Sequence, residues 1–232
     1  MATTPQTTSP LPWLLLLLSA TTGLVDAASV LGLGKVFTAN MTGNVVFLGF
    51  ATAGTPGFSW PLYVLAILTF MIGALVAGRM GRHQVGKPLG GWLVRSALVE
   101  AALLWVAAAV AIGFDLASPD PVRVWAIIAL TAVAMGYRNA TIRQLKVPDL
   151  TTTVLTLTIT GIAADSSAAG GSNPNWSRRI GAVCSIFAGA LLGAFLMRTT
   201  GLAVPLVLAG ATVLVGTLAC AHHPAARQPV SG

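Results

Sequence analysis

Apolar residues run along this chain in eight blocks separated by short polar stretches. The blocks span about residues 11–34, 41–54, 60–79, 91–114, 122–142, 150–164, 180–197 and 202–221. A helix rises about 1.5 Å per residue, so a block of about twenty residues crosses a hydrocarbon layer about 30 Å thick. The second and sixth blocks are short. They either recruit their polar flanks to span, or dip in and return. The pattern predicts an all-α polytopic membrane protein with six full transmembrane helices and two short or re-entrant ones. Eight crossings are the alternative.

The short blocks fall in matching places, which points to an internal repeat. Gly23, Asp26 and Ala27 align with Gly136, Asn139 and Ala140. Asn40, Thr42, Asn44 and Val45 align with Asp149, Thr151, Thr153 and Val154. Trp60 aligns with Trp176, and Gly73 with Gly189. Residues 11–114 and 122–221 are therefore read as two halves of one membrane domain, between a polar tail at 1–10 and another at 222–232. Paired loops differ in basic content. Lys35 stands against Arg143 and Lys146, and Arg79, Arg82 and Lys87 stand against Arg198 alone. Loops on opposite sides of a membrane differ in this way. The halves are thus expected to be inverted, with both termini cytoplasmic.

Composition supports the class. Of 232 residues, 55% are hydrophobic and 8% charged, and mean hydropathy is +0.82; soluble domains carry about 25% charged residues. The formal charge of +7 is read as loop charge that sets topology, not as a nucleic-acid surface. Residues before the first block lack the Lys or Arg of a signal peptide, so that block is read as a retained helix. Cys184 and Cys220 lie in apolar blocks and form no motif. No metal cluster, P-loop, dinucleotide fingerprint or catalytic triad is found, so neither an enzyme nor a cofactor is expected. The stretch 165–177 is read as a flexible connector, and the residues after Cys220 as disordered.

Charges inside membrane helices are costly, so they face the interior and have partners. Asp26, Glu100 and Arg138 are the candidates. Asp26 and Arg138 sit at near-equivalent places in the two halves and are expected to approach each other, directly or through a ligand. Glu100 is expected either to carry protons or to pair with Arg95. Asp26 is a second candidate proton carrier. Asn40 and Asp149 suit N-cap positions, where a side-chain oxygen accepts free backbone N–H groups. A helix starting inside the membrane presents N–H groups and a positive dipole end to an anionic or polar ligand. Thr42, Asn44, Thr151, Thr153 and Asn139 add hydrogen-bonding groups. Packing between helices is the competing reading of these residues.

The runs Thr22 to Ala27, Phe37 to Phe47, Asn139 to Thr141 and Val147 to Val154 resemble the YoaK family of bacterial inner-membrane proteins. The resemblance covers nearly the whole chain. It implies a multi-pass protein of the bacterial inner membrane and carries no substrate or site. From the residues, the first expectation is a transporter or channel for a small solute or ion. Its midplane site would lie between the halves and include Asp26, Asn40, Thr42, Asn44, Arg138, Asn139, Asp149, Thr151 and Thr153. The alternative is a non-transporting scaffold that binds a partner. Expected partners are the lipid bilayer, an unknown small solute or ion and, from the small glycine-rich halves, a second copy of the chain.

Overall fold

The computed structural model describes residues 10–84, 86–145 and 155–227, and among these every regular element is helical. The helices are α1 (Leu11–Gly32), α2 (Met41–Thr52), α3 (Trp60–Arg82), α4 (Leu89–Val110), α5 (Pro121–Leu145), α6 (Leu155–Ala164), α7 (Trp176–Thr200) and α8 (Ala203–Ala221). Five of them, α1, α3, α4, α7 and α8, are long and apolar enough to cross a membrane. Helix α5 has 25 residues but carries Arg123, Arg138 and Arg143. Helices α2 and α6, at 12 and 10 residues, are the short pair.

Glycines set the main helix contacts. A Cβ at Gly23 would lie 2.1 Å from the Ile186 carbonyl oxygen, and one at Gly189 would lie 1.8 Å from that of Ala20, so α1 and α7 touch backbone to backbone. Helices α3 and α5 repeat the device: Gly73 meets the Val133 carbonyl and Gly136 meets that of Phe70. Any side chain at these four positions would force the helices apart, and close approach of this kind holds helices together where no hydrophobic effect operates between them. The long helices of the first half thus find their tightest partners in the second, with α4 against α8 and α5, while α2 packs on α3.

These contacts also give direction. Gly181 faces Leu16 and Gly193 faces Leu24, so α1 and α7 run parallel. Gly73 faces Val133 and Gly81 faces Gln144, so α3 and α5 run parallel. Gly90 meets Ala221 while Gly210 meets Trp105, so α4 and α8 are antiparallel. Arg123 of α5 reaches the Val110 carbonyl at the end of α4, so these two are antiparallel as well. One face of the bundle therefore carries the start of α1, α4 and α7 and the end of α3, α5 and α8. Arg79, Arg82, Lys87, Arg95, Arg143 and Arg178 gather there. Lys35, Asp115, Asp120, Arg123 and Arg198 lie on the other face.

Between α1 and α3 the chain leaves and re-enters on the same face. Gly34 makes this possible: its φ of +84° follows the last turn of α1, and the Lys35 N–H closes back on the Val30 carbonyl at 3.3 Å. This left-handed exit is easy for glycine and turns the chain inward. Residues 36–40 descend along α1, and α2 rises again beside α3. The aromatic rings of Phe37, Phe47, Phe50, Phe58 and Tyr63 pack around α2.

Two expectations about loops are corrected. Residues 165–177 are a folded turn. The Asp165 carbonyl accepts the Asn173 N–H at 3.0 Å, and its carboxylate accepts from Arg179 at 2.7 Å. Polar residues in sequence here mark a hydrogen-bonded turn. After α8, Pro224–Arg227 forms a single helical turn against α4 and α8, with Ala226 buried, so disorder does not begin at Cys220. His222, in the last turn, contacts the Leu218 carbonyl at 2.7 Å.

Candidate functional site

Two buried polar centres occupy the interior, both built on α1. The first is Asp26, two turns before the end of the helix. Its Oδ1 accepts the backbone N–H groups of Thr38 at 3.0 Å and Ala39 at 2.9 Å. Its Oδ2 accepts from the Asn40 side-chain amide. A carboxylate from another helix thus holds the extended residues that lead into α2, just before its N-cap. Asn40 holds the N-cap position but its side chain makes no cap bond. The expected capping role of Asn40 is corrected: its amide turns to Asp26 instead, because the descending backbone beside it lies against α1.

Asn44, fully buried, completes this centre. Its amide pairs with both backbone groups of Phe37: Oδ1 accepts the N–H at 2.9 Å and Nδ2 donates to the carbonyl. An Asn amide has the donor and acceptor to match one residue of backbone. Here it fixes the turn that reverses the chain. Thr42, two residues earlier, is exposed on α2. Thr38 is fully buried, and its Oγ1 has no partner.

The second centre lies one turn back along α1. Arg138 of α5 donates from Nε to Glu100 Oε1 at 2.6 Å, and its Nη2 reaches the same oxygen. Its Nη1 donates to the Leu18 carbonyl at 3.0 Å and the Thr22 hydroxyl at 3.1 Å. Arg138 and Glu100 are 2% and 3% exposed. The expected direct contact of Asp26 and Arg138 is therefore corrected. Thr22 stands between them, one helical turn before Asp26, and each charge has its own partner. Arg95 is also not the partner of Glu100: it donates to the Gly91 carbonyl and to Gln84. Arg95 precedes Glu100 by five residues, about 140° round the helix, and it points to the basic face where Gln84 is.

Beside this pair is a cavity of about 30 Å³, room for about two water molecules. Its walls are mainly apolar, and Glu100, Arg138, Ser96, Thr141 and Thr217 add the polar groups. Ser96 is 7% exposed, and its hydroxyl has no protein partner. Leu14, Leu93 and Leu145 continue the lining toward the basic face. Ser96 and Thr217 escaped the sequence reading although a signal was present. Ser96 precedes Glu100 by four residues on one face of α4, as Thr22 precedes Asp26, and polar residues at that spacing share a helix face. Of the other expected site residues, Asn139 donates to the Met135 carbonyl of its own helix at 2.8 Å. Asp149, Thr151 and Thr153 lie outside the described residues.

Residues 14–219 match the family described as "Protein of unknown function (DUF1275)". This chain belongs to that family. Over 158 residues it is 35% identical to the UPF0700 transmembrane protein YoaK of Bacillus subtilis (strain 168), a stretch covering 66% of each protein. No solved structure matches it. With the five long apolar helices, these likenesses make the chain a multi-pass membrane protein of the YoaK family.

Proposed function

We propose that this protein is a carrier or channel for a small solute or ion, built from two inverted halves with six crossings. Helix α5 is the sixth crossing, and α2 and α6 are re-entrant. The basic face is cytoplasmic, following the positive-inside bias, and both termini lie there in the bacterial inner membrane. Opposed directions of α1 and α5, and of α3 and α7, support the inversion, as does the exchange of glycine contacts between them.

One observation carries the transport reading. A guanidinium–carboxylate pair is buried where α1, α4, α5 and α8 converge, beside a mainly apolar cavity that also carries the unpartnered Ser96 hydroxyl. A pair serving only to lock helices needs no cavity, and intramembrane charges mark ion and substrate paths. The scaffold reading draws support from a different place, the start of α2, where Asp26 and Asn44 bond only within the protein. That region packs; the pathway runs through the other centre.

The test is accessibility. In a variant with Cys184 and Cys220 replaced by serine, Ser96→Cys and Thr217→Cys react with a membrane-impermeant thiol reagent added to either side of oriented vesicles. Reaction from one side only, or from neither, overturns the reading.

A further inference from the structure

Resting on that reading, we infer that the Arg138–Glu100 centre binds a small monovalent anion such as nitrate or chloride, taken up together with one proton. The guanidinium is a planar fork of N–H donors that fits a small anion. In the resting state Glu100 fills that fork as a tethered anion, using one oxygen for both bonds. The site is neutral as it stands, which the low-dielectric interior demands.

A free anion replaces the carboxylate only if neutrality survives. Protonation of Glu100 achieves this. One proton adds to the carboxylate, its two bonds from Arg138 break, and the freed N–H groups bond to the incoming anion. The loaded site holds a cation, an anion and a neutral acid, so the net charge is again zero. Leaving reverses each step, and the species moved is the anion with its proton. No redox change is involved.

The surroundings fit this exchange. Ser96 offers a hydroxyl with no protein partner, and the cavity has about the room of a small inorganic anion. Leu18 and Thr22 anchor the far nitrogen of Arg138, so the guanidinium stays in place while its partner changes. Around Glu100, α5 presents Arg138 as the charged group, α1 presents leucines, and α8 presents Val213 and Thr217. Asp26, the next carboxylate along α1, is engaged by residues 38–40.

The experiment uses purified protein in vesicles of phosphatidylethanolamine and phosphatidylglycerol with trapped pyranine. An inward gradient of sodium nitrate or sodium chloride, against sodium gluconate, should acidify the lumen faster than in protein-free vesicles. Glu100→Gln should abolish the acidification, while nitrate entry driven by a valinomycin potassium potential persists. Ser96→Ala should slow both. No nitrate- or chloride-dependent acidification by the wild type overturns the inference, and so does Glu100→Gln acidifying at the wild-type rate. If Ser96→Cys is reached from both sides while no acidification occurs, the transport reading stands and the anion class falls. If the cysteine is reached from neither side, both fall.

Discussion

Asp26 and Glu100 are both carboxylates buried in an apolar bundle, and they are held in different ways. Asp26 spends both oxygens on a descending backbone and the Asn40 amide. Its partners are parts of the same short segment. Glu100 spends one oxygen on a guanidinium from another helix and faces a cavity. Its partner belongs to the other half of the chain. The first arrangement fixes a local fold: it holds the segment between α1 and α2 by its N–H groups, which otherwise would be buried without partners. The second couples two halves through one exchangeable contact next to space. Burial of a charge alone therefore does not separate a structural residue from a functional candidate. The number of oxygens committed and the presence of room beside them do.

Removing Glu100 should have the largest effect. Glu100→Leu leaves Arg138 buried without a counter-charge and should lower stability by about 3–5 kcal/mol. Reversible unfolding in mixed micelles measures this. The double variant Glu100→Leu with Arg138→Met should recover most of the loss, since an apolar pair replaces the ion pair. A double variant no more stable than the single one would show that Arg138 has a second counter-charge.

At the other centre, Asp26→Asn keeps an oxygen for Thr38 and Ala39 but turns an amide toward that of Asn40. One poor contact replaces a good one, at a cost of about 1–3 kcal/mol. Amide exchange at Thr38 and Ala39 should quicken, with exchange in α4 and α5 unchanged. Faster exchange at Arg138 instead would make the two centres one network.

Asn44→Leu should leave both backbone groups of Phe37 unpaired, a loss again of about 1–3 kcal/mol. The expected sign is that it loosens α2 and its aromatic cluster first, read as increased thiol reactivity of a cysteine placed at Phe47. Thr42→Val stands last. The residue is exposed on α2, so its change should stay within about 0.5 kcal/mol. A larger loss would show that Thr42 has a partner outside this chain.

Much was legible in the chain alone. Long apolar blocks must be helices in a membrane, since no other open structure satisfies its backbone there. The short blocks, the paired glycines and the uneven basic loops come from residue type and order, so they can be read without coordinates. The intramembrane charges could also be named, because each is rare where it occurs. Their partners could not. Asp26 and Arg138 share a level in an alignment of halves, yet which groups meet depends on the rotation of each helix and on which helix lies beside it. The glycine contacts bring α1 against α7 and α3 against α5, and that places Arg138 toward Glu100 and Thr22, one turn short of Asp26. Nor does sequence show that the backbone at 38–40 would descend far enough to use Asp26, since that depends on the left-handed turn at Gly34. What the residues determined was the cost of burying each group. Which partner offsets that cost was decided by the fold, because an electrostatic contact requires both groups within a few ångströms, and only packing sets that distance.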